Sequence, residues 1–365
     1  MTPDKADAFR DPELAKGLVD RIHTNSRRPV RLMEVCGTHT VALFRSGVRS
    51  LLPETLTLLS GPGCPVCVTA QGEIDAFVKL AQRPGTIVTT FGDLLRVPGS
   101  GASLQQVKLE GADVRIVYSA TDALAIAQDN PDKEVVFLGV GFETTAPTIA
   151  AVLMSAHRSR CPNFSIAAAH KTVPAALEAL LARPDLKVDG LLLPGHVSVM
   201  IGVAGYRPFF EKTQLPCVVT GFEPTDLLMG IAELVTQIEE GRPRLANAYR
   251  RAVNEAGNPK AMALLERVFE PADVQWRGLG MIPASGLVLR PDFQDYDAFR
   301  RFDIQIEDVP EPRGCACGQI LTGTLSPPQC PLYKGACTPI HPVGPCMVSS
   351  EGTCAAYYRY HQDAD

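Results

Sequence analysis

Eight short apolar runs, at 30–35, 56–59, 86–90, 114–118, 135–140, 164–169, 190–193 and 217–220, alternate with amphipathic stretches such as 174–182 and 224–240. Runs of this length and apolarity suit strands covered on both faces, and the amphipathic stretches supply the crossovers that parallel neighbours need. After an opening helix over 11–24, the pattern therefore predicts parallel α/β layers. Two related halves are expected, because Gly141-Phe142-Glu143-Thr144 and Gly221-Phe222-Glu223-Pro224-Thr225 each close an apolar run and open a helical one. Glu and Thr at those places also suit plain helix caps. Past Gly257-Asn258-Pro259 the periodicity changes, and from Pro310 the chain is rich in Pro, Gly and Cys. The expected division is a first α/β domain over 1–132, a second over 133–257, and a C-terminal region over 258–365 with a cysteine-rich unit that needs a metal or cross-link to hold its fold.

Composition narrows the function classes. The 365 residues are 45% hydrophobic and 21% charged, with a formal charge of -5, so a sizeable core is available, there is no polyelectrolyte stretch, and nucleic acid is not an expected partner. No eighteen apolar residues run together, and 1–10 is polar and acidic without an apolar leader segment. A soluble, cytoplasmic protein with no membrane partner is expected.

The chemistry-bearing residues fall where the runs end. Run 30–35 leads into Cys36-Gly37-Thr38-His39, run 56–59 into Gly61-Pro62-Gly63-Cys64-Pro65-Val66-Cys67, and run 86–90 into Phe91-Gly92-Asp93. Glu143, His170, His196 and Glu223 follow later runs in the same way. Ligands of open parallel sheets bind beyond the carboxyl ends of the strands, so these groups should face one cleft. Cys64 and Cys67, between a glycine-rich turn and a helix start, can form a local disulfide or bind a metal at two points. With Cys36 they make a possible three-thiol site. His39, three residues from Cys36, and His196, in Pro194-Gly195-His196, are read as functional; His170 fits a core role equally well. Asp93 and Glu143 are charges at the ends of buried runs, which calls for either capping or a ligand. His23, His157, His341, His361, Cys161 and Cys217 are read as ordinary residues.

Eleven cysteines are too many for chance burial and too unevenly placed for a disulfide framework; six, Cys315, Cys317, Cys330, Cys337, Cys346 and Cys354, lie in the last fifty-one residues. Fourteen, six and sixteen residues separate Cys315, Cys330, Cys337 and Cys354. A structural zinc site usually shows two close CxxC knuckles, and none is present here. An iron-sulfur cluster can draw its ligands from several loops.

The segments MEVCGTHT, GPGCPVCVT, FGDLLRVPGS, GFETTAP, LPGHVS and the closing CACG, CPLYKGACTP and GPCMVSSEGTCAAYYRY, spread over 33–360, resemble those of the HypD family of [NiFe]-hydrogenase maturation factors. The resemblance implies two Rossmann-like α/β domains and a small C-terminal domain with a [4Fe-4S] cluster on Cys315, Cys330, Cys337 and Cys354, Cys317 being able to replace Cys315. It implies a metallocofactor assembly scaffold with redox activity, on which the Fe(CN)2CO group is built from Fe(II), cyanide and CO. Cys36 would be the leading iron ligand, assisted by the small chaperone HypC; HypE would deliver cyanide, and the hydrogenase large subunit would be served indirectly. Cys64 and Cys67 would be cleft thiols supplying electrons. The competing reading is an iron-sulfur-dependent thiol-disulfide oxidoreductase working through Cys64 and Cys67. A nucleotide enzyme is disfavoured, since no GxGxxG follows the first run and no GxxxxGK[ST] loop occurs.

Overall fold

A computed structural model describes residues 11–361; the reading of 1–10 as lacking an apolar leader lies outside them. Asp11 accepts hydrogen bonds from the amides of Glu13 and Leu14 and Pro12 occupies the first turn, so the opening helix runs Pro12–Asn25. Strands β1 (Val30–Glu34) and β2 (Leu56–Ser60) are followed by β3 (Thr86–Thr90), β4 (Asp113–Ile116), β5 (Glu134–Gly139) and β6 (Phe164–Ala168). After the short β7 (His170–Lys171) come β8 (Gly190–Pro194), β9 (Cys217–Thr220) and β10 (Leu245–Asn247), then β11 (Phe269–Trp276) and β12 (Gly280–Leu289).

The expected parallel α/β layers are present. One sheet has the order β10-β9-β8-β1-β2 and the other β4-β3-β5-β6, with every pairing parallel. A third, antiparallel sheet joins the hairpin β11-β12 to β7. The strand order of the two parallel sheets cuts across the positions 132 and 257. Each expected half gives strands to both parallel sheets, since the chain leaves the first sheet after β2, builds the second, and returns at β8 beside β1. An apolar run reveals that a strand is covered on both faces, but not which strand lies next to it.

Alternation along each strand assigns the two faces. Leu32, Leu192 and Val218 pack under the helices Pro12–Asn25 and Pro224–Glu240 through Ile22, Leu228, Ile231 and Val235. Met33, Leu191, Leu193 and Val219 face the other way and share one core with Val88, Val136 and Leu138 of the second sheet. That core also takes in Cys64, Cys67 and five C-terminal cysteines, so the cysteine-rich segment packs directly on the α/β layers. The charged pair Glu73 and Lys171, 2.9 Å apart and almost wholly buried, fixes the helix Gln71–Ala81 to β7. Among the described residues no helix is long and apolar enough to cross a membrane.

Candidate functional site

Register builds the site. β1 and β2 pair with Glu34 opposite Ser60, so the turns that follow them lie side by side. The amide of Gly37 donates to the carbonyl of Gly63 at 3.0 Å. A Cβ on Gly63 would come within 2.2 Å of the Cys36 nitrogen, so only glycine lets the two turns touch. Cys36 thereby caps the helix Gly37–Arg45 beside Cys64, which caps the helix Pro65–Val68. Cys64 and Cys67 are joined as a disulfide, with Cα atoms 5.2 Å apart. Of the two alternatives for this CxxC, the structure holds the local disulfide.

Cys36 is 6% exposed, and burial together with the carboxylate of Glu351 pushes its thiol up to about 12. Glu351 reaches it from the cysteine-rich segment. Its backbone covers Gly37, where a Cβ would meet the Glu351 carbonyl at 2.5 Å, and its carboxylate accepts from the Thr38 hydroxyl at 2.6 Å. Asp93, at the end of β3, anchors the same segment by accepting from the Ser349 hydroxyl, the Ser350 amide and the Ser350 hydroxyl, each at 3.0 Å. Residues 349–351 therefore form a strap tying the edge of the second sheet to the Cys36 turn of the first. Beneath Cys36, Glu34 is fully buried and bonded to Thr40, with its second carboxylate oxygen unpartnered; burial lifts it to about 8.

His39 and His196 flank one ring. Phe222 lies 4.9 Å from His39 and stacks on His196 at 4.0 Å, with Tyr249 edge-on behind it. Burial holds His39 down at about 4, so it is neutral at pH 7. Its Nε2 lies 3.2 Å from the Thr220 carbonyl, which can only accept, so Nε2 carries the proton. Nδ1 is left as a buried lone pair without a partner. Glu143 accepts from the Val173 amide at 2.9 Å and thus caps the helix Val173–Leu181 rather than its own. Its other oxygen is buried and unpartnered, and burial raises it to about 7. The Tyr206 hydroxyl is buried 3.3 Å from the Ser198 hydroxyl, and burial first, then the nearby Glu143 and Cys36, raise it well above the usual tyrosine range.

His170 is not part of this group. It packs under Gly139 and edge-on to Phe269, with both ring nitrogens buried and unpartnered. Burial holds its pKa near 3, against 6.5 for a free imidazole. The stability this contributes is full above pH 6.5 and is lost as the pH falls toward 3, at about 1.4 kcal/mol per pH unit. His170→Leu should therefore narrow the gap between denaturant midpoints measured at pH 7 and pH 5. An unchanged gap contradicts the assignment.

All six C-terminal cysteines line one small cavity with Ile320, Leu332 and Met347. The Cys317 and Cys346 sulfurs lie 2.9 Å apart. The neighbouring Cys315 and Cys346 thiols, and then Arg277, favour the thiolate of Cys317. The helices Cys317–Leu321 and Pro345–Val348 both pack against Pro65–Val68, so the cavity adjoins the disulfide. Among the described residues no three ligating side chains are arranged around a single metal ion. The six thiols, drawn from five separate stretches, have the donor chemistry that an iron-sulfur group would need.

A family profile described as the hydrogenase formation hypA family, HypD, matches residues 13–361. The chain belongs to the HypD family. It is 47% identical over 363 residues to the hydrogenase maturation factor HypD of Azotobacter vinelandii, covering 97% of this chain and 96% of that one. The HypD of Escherichia coli K12 is 46% identical over 367 residues, covering 98% of each chain, and that of Rhodobacter capsulatus 45%, covering 97% of each. The chain is thus similar to hydrogenase maturation factors along nearly its whole length. Within this HypD-family chain, sequence reasoning passed over Glu34, Glu351, Phe222, Tyr206 and Arg277. Glu34 and Glu351 had a usable signal, since each is a carboxylate beside a cysteine motif, Glu34 in MEVCGTHT and Glu351 in SSEGTC.

Proposed function

We propose that this chain is the scaffold on which the Fe(CN)2CO group of [NiFe]-hydrogenase is assembled. The observation that carries the proposal is Cys36, a single protonated thiol set against the Cys64–Cys67 disulfide at the meeting point of both sheets and the strap. A buried thiol held near 12 ligates iron by surrendering its proton, so the metal itself must drive deprotonation. One thiolate from this chain and one from a small chaperone of the HypC kind would hold the iron while leaving positions for diatomics. So few protein ligands also allow the iron to be passed on. Strong-field cyanide and CO, the cyanide coming from a HypE-type donor, suit Fe(II) on soft thiolates. Closing Cys64 and Cys67 to the disulfide releases two electrons and two protons, and reopening it takes up the same.

Four of Cys315, Cys317, Cys330, Cys337, Cys346 and Cys354 would hold a [4Fe-4S] cluster, with Cys315, Cys330, Cys337 and Cys354 as the preferred set. Such a cluster supplies single electrons. The helix Pro65–Val68 packs against two of the short helices of that cavity and starts at Cys64, beside Cys36, so it offers one packed route for them. A cytoplasmic location completes the proposal. The disulfide also favours a second reading, a thiol-disulfide oxidoreductase in which Cys36 has no part.

Complementation separates the two. In a host lacking its own HypD, this chain should restore [NiFe]-hydrogenase activity and its Cys36→Ala variant should not. Full restoration by the variant would favour the oxidoreductase.

A further inference from the structure

Arg277 is 2% exposed, and among the described residues it forms no ion pair. Its amide donates to Val68 and its Nε to the Thr69 carbonyl at 3.1 Å, while Nη2 reaches the Gln71 side chain at 3.0 Å. Nη1 is buried with no partner. Its neighbour Gly278 presses on Gly318, the residue after Cys317; a Cβ there would lie 2.5 Å from the Gly318 Cα. Glu311 borders this contact as well, accepting from the Gly278 amide at 3.0 Å, and its carboxylate lies 2.9 Å from where a Gly318 Cβ would be. A buried cation and a half-buried anion thus lie close to the backbone that carries Cys317 into the cavity. At low dielectric such charges act strongly on a neighbouring centre that gains an electron.

We propose that Arg277 and Glu311 are positioning charges of opposite sign that set the reduction potential of the group held in the cysteine cavity, Arg277 raising it and Glu311 lowering it. This rests on the iron-sulfur reading above. The reduced centre carries one more negative charge than the oxidised one, so a fixed cation favours the reduced form and a fixed anion disfavours it. The guanidinium keeps its charge at every working pH.

The test is an anaerobic potentiometric titration of the anaerobically purified, cluster-loaded full chain at pH 8, following the visible chromophore. Dithionite gives one electron per centre and is itself oxidised to sulfite. At a fixed poise, Arg277→Gln should lower the ratio of reduced to oxidised centre at least tenfold, or 59 mV for one electron. Arg277→Lys, which keeps the charge but loses the fork to Thr69 and Gln71, should stay close to wild type. Glu311→Gln should shift the ratio the opposite way, which simple loosening of the fold cannot do. If Arg277→Gln fails to fold, Arg277→Lys and Glu311→Gln still decide the matter. Shifts of the same sign in both glutamine variants, no shift in Glu311→Gln, or a lysine variant displaced like the glutamine one would overturn the proposal. A wild-type chain with no visible chromophore would instead overturn the iron-sulfur reading, and this inference with it.

Discussion

Cys36→Ala is expected to abolish iron loading in the cleft and hydrogenase maturation while leaving the visible chromophore of the C-terminal cavity intact, and Cys337→Ser to remove that chromophore. The two sets of thiols hang on different elements. Cys36 caps a helix of the first sheet, whereas Cys337 lies in the cavity and accepts from the Val343 amide at 3.3 Å. Losing one cavity thiolate should also loosen the segment 315–354, whose α-helices are only four to eight residues long and converge on the cysteine cavity. Both variants should lose essentially all maturation activity, with the losses separable by absorbance and by iron analysis. Cys36→Ala should still bind the small chaperone through surrounding contacts. Loss of the chromophore from Cys36→Ala, or four irons retained by Cys337→Ser, would contradict the division into two sites.

Serine at Cys64 or Cys67 should stop maturation just as completely, for a different reason. Both sulfurs are almost wholly buried, in a turn that Gly61-Pro62-Gly63 brings against Cys36. A single remaining thiol cannot close the bond, so two-electron chemistry at this point ends, while the chromophore and Cys36 remain. The pair should also titrate together. Thiol counts on the reduced wild type should fall by two on mild oxidation, and by none at these positions in either variant. A wild type whose count does not fall would remove the redox role.

The residues that carry these predictions were legible to different degrees. Runs 86–90 and 217–220 match β3 and β9 residue for residue, because a short stretch dominated by β-branched residues between punctuating residues has few other uses. Cys36, Cys64 and Cys67 were legible as a group, since each follows a run that had to be a parallel strand. The order of the strands was not legible: β1 lies next to β8 through packing that no local pattern records. The hairpin β11-β12 was also hidden, because its alternation is broken by Pro271, Pro283 and a register shift between Ala272 and Val274. Asp93 illustrates the limit for single residues. Its place at a strand end was readable, but its bonds to Ser349 and Ser350 depend on a segment far away in the chain. The spacing of the six C-terminal cysteines could not show that all six would line a single cavity.

The central claim is that iron carrying diatomic ligands is built on Cys36. The most direct measurement is the infrared spectrum of this chain purified anaerobically with its small chaperone. Sharp cyanide and carbon monoxide stretches are expected from the complex, absent when Cys36→Ala replaces the wild type. A loaded wild-type complex with no such bands, or a Cys36→Ala complex that keeps them, would contradict it.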